Sequence, residues 1–119
     1  MQTRSLGQIV TADAVARLVA FRNAVQLAFP GAVQDVVLFG SRARGDADPD
    51  SDYDVAVVLA NKLLLDRDVR RRLADAAWEH VVDGYAIIPI ALDADQLVEG
   101  CPARTELSAR IGSEGISVG

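Results

Sequence analysis

Residues 40–59 read "GSRARGDADPDSDYDVAVVL", and how this stretch is understood decides the fold. A Gly-Ser step leads into two arginines, then five aspartates fall within nine residues (46–54), then a valine-rich run begins. Carboxylates at this density repel one another, so something positive must offset them. In an ordinary acidic loop, water and salt do so; at a site, a metal ion does. The flanks favour order. "DVVLFG" (35–40) is a short apolar run before the Gly-Ser and predicts a buried strand, and "YDVAVVLA" (53–60) predicts a second.

Asp52 and Asp54 stand two apart where the second strand starts, which puts both side chains on one face. Two hard oxygen donors on a rigid element suit Mg²⁺, with waters and substrate phosphates completing the shell. Asp46, Asp48 and Asp50 lie in a Pro-containing loop and read as solvated. Asp54 runs directly into "VAVVL" and is expected to face a cleft or a covered surface. Upstream, Gly40 lets the backbone approach a ligand closely. If the chain turns helical from Ser41, its N–H groups converge into a phosphate seat, with Arg42 and Arg44 adding charge. Gly-Ser after a strand is more often a plain turn, so it gains weight only together with the aspartates. Arg44 reads equally as a phosphate ligand or as the structural partner of a loop aspartate such as Asp48.

The surroundings predict helices packed on a small sheet, an α/β (α+β) arrangement in one domain over residues 1–119. Thr11 is an N-cap, with Asp13 in the first turn. Val15, Leu18, Val19, Val25 and Phe29 form an apolar stripe that stops at Pro30-Gly31. A second helix is predicted from near Leu63 to Val82, with Leu65, Val69, Leu73, Ala76 and Val81 inward and Gly84 just past its end. "YAIIPIAL" (85–92) predicts a third strand, at an edge or with a bulge, because Pro89 lacks a ladder donor. Asp93 is placed to cap a following helix, and "ARTELSARIG" (103–112) predicts another. Trp78 is expected against the sheet or a partner, the lone His80 in local packing or solvent, and Tyr53 in a core opposite the aspartates. Arg70, Arg71 and Arg72 read as a solvated face.

Composition narrows the function classes. Half of the residues are apolar, and the net charge is −5, with 12 basic against 17 acidic residues. A broad nucleic-acid footprint needs a basic face, so no direct nucleic-acid contact is expected. The single cysteine, Cys101, rules out an internal disulfide and a CxxC metal site. No signal peptide or membrane span is read, which predicts a cytoplasmic protein.

The spacing from Gly40 to Asp54 resembles the signature G-S-x-A-R-G-x5-S-D-x-D of the minimal nucleotidyltransferases, small members of the DNA polymerase beta-like superfamily. Gly40, Ser41, Ala43, Arg44, Gly45, Ser51, Asp52 and Asp54 match it. The ending "IGSEGISVG" is similar to the Ile-x-x-Glu-Gly-Ile close of such proteins. The resemblance implies that Gly40 and Ser41 hold the β- and γ-phosphates of ATP, with Arg44 and Ser51 in the nucleotide site. It also implies that Asp52 and Asp54 are the catalytic Mg²⁺ ligands. Such proteins are commonly paired with a HEPN ribonuclease toxin, so the implied role is an antitoxin that joins AMP to a toxin hydroxyl, typically tyrosine, within a hetero-oligomer. The sequence departs from the superfamily pattern in one respect: a third carboxylate usually stands on a later strand, and "YAIIPIAL" contains none, with Asp83 before it and Asp93 after it. A non-catalytic module that neutralises its partner by binding is therefore the alternative.

Overall fold

The computed structural model describes residues 4–60, 68–98, 100 and 105–119. Its centre is the antiparallel pairing of two valine-rich strands, β1 (Val33–Phe39) and β2 (Tyr53–Leu59), in a register that sets Phe39 opposite Asp54 and Val37 opposite Ala56. Strand β3 (Ile87–Asp93) runs parallel to β2, and the short β4 (Ile116–Ser117) pairs antiparallel with β1. The sheet order is β3-β2-β1-β4. Pro89 accordingly sits on an edge strand, as its missing N–H requires.

Both faces of the sheet are covered, which is why β1 and β2 read as continuous apolar runs rather than alternating ones. On one face Val36, Leu38, Tyr53, Val55, Val57, Leu59 and Ile87 pack beneath helices α2 (Ala12–Ala28) and α4 (Val69–Val82). On the other, Val37, Phe39, Ala56, Val58 and Leu92 meet Ile111 of α5 (Glu106–Glu114). Asp54 belongs to this second face by strand alternation and by its pairing with Phe39. Tyr53 is buried on the first, as the sequence predicts. A one-turn helix α1 (Leu6–Ile9) precedes α2, and a second, α3 (Ser41–Arg44), follows β1.

Local signals account for the helix limits. Thr11 Oγ1 accepts from the Ala14 N–H at 3.2 Å, and α2 stops where Gly31 turns with φ 72°. Asp93 Oδ1 accepts from the Asp95 N–H at 3.0 Å and opens a 3-10 turn, Ala94–Leu97. Thr105 caps α5 through the Ser108 N–H at 3.1 Å. The predicted start of the second helix, including Leu65 and Asp66, lies outside the described residues, as does Cys101.

Two expectations for α4 are corrected. Its buried row is Val69, Leu73, Ala77 and His80, so Ala76 is only half-buried and Val81 lies at the surface. Each step along a helix turns about 100°, so Val81 stands about 120° around from Val69 and falls at the margin of that row. Trp78, about 180° around from Val69, is 65% exposed and off the sheet, which leaves a partner surface of its two expected settings. In α2 the fully buried residues are Ala14, Leu18, Phe21 and Val25, with Val15 and Val19 at the margin. Arg71 pairs with Asp68 at 3.2 Å, in keeping with a solvated basic face. No helix among the described residues is long and apolar enough to cross a membrane.

His80 is the buried polar group with a consequence for stability. Burial pushes its imidazole below the ordinary 6.5, and Arg17, 3.4 Å from Nδ1, adds to that, while Glu79 and Asp83 oppose it. The unfolded chain thus binds a proton that the native one refuses, and stability falls as pH drops below about 6.5. Chemical denaturation at pH 7.5 and pH 5 is expected to show that loss, and His80→Leu to flatten it. In the same assay Phe21→Ala is expected to cost about 3–5 kcal/mol, and Trp78→Ala under about 0.5 kcal/mol.

Candidate functional site

At the end of β1 the chain must leave the sheet beside the first residues of β2. Gly40 makes that exit with φ 77° and ψ −158°, a conformation essentially reserved for glycine. A Cβ at this position would stand 2.5 Å from Asp54 Oδ2. The Gly40 carbonyl then accepts from the Ala43 and Arg44 N–H groups at 3.1 and 3.0 Å, which starts α3 at Ser41. The Ser41 carbonyl accepts from the Gly45 and Asp46 N–H groups at 3.0 and 3.2 Å and closes the turn. The helical turn expected from Ser41 is therefore present, with Gly40 and Ser41 at its mouth and the Asp54 carboxylate against it.

The acidic loop is held by its own side chains. Asp48 Oδ1 accepts from the Asp50 N–H at 2.9 Å, and Ser51 Oγ accepts from the Asp48 N–H at 3.0 Å. Arg42 donates to the Ser51 carbonyl at 2.9 Å and to the Pro49 carbonyl at 3.3 Å, with its guanidinium 4.3 Å from the Tyr53 ring centre. Arg42 thus fastens the loop that delivers Asp52 and Asp54, in place of the phosphate role expected for it. Arg44 is paired within the fold, with Asp46 at 3.3 Å and Glu114 at 3.1 Å rather than with Asp48. Ser51, read from the sequence as part of the nucleotide site, spends its hydroxyl on Asp48.

Asp52 is exposed just before β2, and Asp54 is half-buried at its start. Burial pushes the Asp54 carboxyl above its ordinary 3.8; Asp52 pushes it further, Arg44 pulls it back and Glu114 raises it again. A divalent cation beside the two carboxylates would relieve that pressure. The donor set fits one Mg²⁺, with two protein carboxylates and the remaining positions left for water and phosphate oxygens. Among the described residues, no three His, Cys, Asp or Glu side chains are disposed to share one ion. Neither Asp83, before β3, nor Asp93, its last residue, supplies a third carboxylate: Asp83 pairs with Arg17 at 2.7 Å and Asp93 caps the 3-10 turn. The β3 residue beside Asp54 is Ile88, 45% exposed.

Sequence reasoning missed Glu114 as a site residue. It lies at the end of α5, some seventy positions downstream, and its Oε1 accepts from the Gly40 N–H at 3.3 Å. The signal was present in the closing "IGSEGISVG", where Glu114 matches the resemblance, but nothing local says that β4 returns the chain beside β1.

Residues 18–92 match the nucleotidyltransferase domain family. The chain belongs to that family. Among solved structures, it is similar to a chain in a crystal structure of a toxin-antitoxin with AMP-PNP, at 23% identity and a TM-score of 0.56, over 92% of this chain and 73% of that one. It is also similar to a protein from Sulfolobus solfataricus described as a "putative nucleotidyltransferase", at 21% identity and a TM-score of 0.52, over 98% and 87% of the two chains. At these identities the likeness is one of fold. A search of curated proteins finds no significant match.

Two substitutions separate the roles of this corner. Gly40→Ala is expected to destabilise by about 1–3 kcal/mol for the backbone alone, with the contact at Asp54 in addition, and a thermal melt reads it. Asp54→Asn should act the other way. Because the native pKa is raised, the folded state binds more protons than the unfolded one, so the ionised carboxylate lowers stability at neutral pH. The metal-free Asp54→Asn variant should therefore melt higher than wild type at pH 7, with the gain shrinking as pH falls through the native pKa.

Proposed function

We propose that the chain is a Mg²⁺-dependent, cytoplasmic nucleotidyltransferase that transfers AMP from ATP to a protein hydroxyl of a cognate HEPN ribonuclease toxin, typically a tyrosine, and so acts as its antitoxin. Family membership supports the reaction class, and the likeness to a toxin-antitoxin structure with AMP-PNP supports the nucleotide and the partner. The observation that carries the reading is the corner itself: a glycine amide turn set so close to a half-buried carboxylate that only a hydrogen fits between them. That geometry supports a phosphate seat beside a metal ligand.

In this reading Gly40 and Ser41 present backbone amides to the β- and γ-phosphates, and Arg44 adds charge at the same end. Asp52 and Asp54 hold Mg²⁺, and Ser51 keeps Asp52 in place through the loop it closes onto Asp48. Bound there, the cation neutralises charge that grows on the leaving pyrophosphate. The partner's hydroxyl oxygen attacks the α-phosphorus, the bond from that phosphorus to the oxygen bridging to the β-phosphate breaks, and pyrophosphate leaves with the electron pair. The hydroxyl proton passes to solvent. Positioning supplies most of the rate, and rigid strands and a pinned loop provide it.

Ile88 favours the second reading. An aliphatic side chain stands where a third acid could help activate the hydroxyl, and a chain without that base could neutralise its partner by contact alone. One assay divides the two: purified chain, cognate toxin, ATP and Mg²⁺, followed by intact mass spectrometry of the toxin. The enzyme predicts one or more AMP additions, reduced at least about a hundredfold by Asp52→Asn or Asp54→Asn. Tight complex formation without added mass supports the binding module.

A further inference from the structure

Glu114 makes contacts that the proposed reaction does not use. Its side chain is 15% exposed, Oε1 accepts from the Gly40 N–H at 3.3 Å, and its two oxygens take Arg44 Nη1 at 3.3 and 3.1 Å. A carboxylate held by a backbone amide and a guanidinium occupies the kind of donor pair that a phosphate oxygen takes. Gly40 and Arg44 are also two of the groups assigned above to the triphosphate. A phosphate oxygen and the Glu114 carboxylate cannot share the Gly40 amide, and two anions there repel each other.

We propose that Glu114 is an internal competitor for the phosphate seat: its carboxylate occupies the Gly40 amide and the Arg44 guanidinium until a metal-bound triphosphate displaces it. The inference rests on the nucleotide reading of the site and adds a device to it. The geometry gives the displaced carboxylate a place to go. Arg110 lies one turn earlier on α5, its Nη2 3.9 Å from Glu114 Oε1, close enough to receive it. The anchoring is strong where it must be, because Ile111 of the same helix is fully buried against the sheet and fixes the end of α5 over Gly40. The competitor also sets a threshold. A weakly charged anion gains little by exchanging with a carboxylate already in place, whereas a triphosphate with its cation makes several contacts at once.

Isothermal titration of Mg-ATP, and separately of Mg-tripolyphosphate, into wild type, Glu114→Gln and Glu114→Ala tests this, alongside thermal melts of each. The two neutral variants are expected to bind both probes about tenfold more tightly, the scale of one charge-assisted hydrogen bond removed from competition. Both should melt lower, because the pair with Arg44 is lost. The opposite signs matter, since a purely structural Glu114 would lower affinity and melting temperature together. Wild-type binding with no gain, or a loss, in the variants overturns the competitor and leaves the nucleotide site standing. Silence from wild type and both variants overturns the nucleotide reading and the competitor with it. A wild type that binds weakly beside variants that bind tightly supports both.

Discussion

The close approach of the Gly40 backbone to the Asp54 carboxylate is the constraint around which the rest is arranged. Antiparallel pairing of β1 and β2 sets Phe39 against Asp54, so the residue that follows Phe39 leaves the sheet directly over that side chain. Any Cβ there would collide with the carboxylate, and the backbone conformation needed for the exit belongs to glycine. The hairpin therefore does more than close a sheet. It brings an amide-lined turn and an acidic pair, well apart in the chain, into one corner.

That corner is electrostatically unfavourable without a ligand, and the arginines show how the fold tolerates it. Arg44 is spread between Asp46 and Glu114, and its charge partly offsets the pressure on Asp54. Arg42, next but one, faces the other way, stacks on Tyr53 and holds the loop carbonyls. Two neighbouring cations thus divide the labour: one manages the charge of the site, the other the path of the chain. The raised Asp54 pKa is the residue of this compromise, and a group whose ionisation works against folding is a common mark of a binding site.

Much of the hairpin was legible in advance. Valine-rich runs on both sides of the aspartates predict two strands buried on both faces, and both strands are present. Caps at Thr11 and Asp93 were also readable, because they depend on side chains within three residues. The errors lie where tertiary packing decides. On α4 the apolar residues Ala76, Ala77 and Val81 spread over about 140° of arc, too wide for local pattern alone to choose the buried line. The row that is buried runs through Ala77 and the His80 imidazole, beside Arg17, while Trp78 is left outside. The arrival of Glu114 depends on a two-residue strand that carries almost no periodic signal.

In the proposed reading the Gly40–Ser41 turn is the place where phosphate meets metal-bound carboxylate. Backbone amide NMR of the ¹⁵N-labelled chain, titrated with ATP in the presence of Mg²⁺ and again with a chelator, reads that most directly. The largest shifts should fall on the Gly40 and Ser41 amides and on residues 52–54, and should largely vanish when the cation is removed. Unchanged signals at those positions, or shifts that centre on another part of the sheet, would contradict the account.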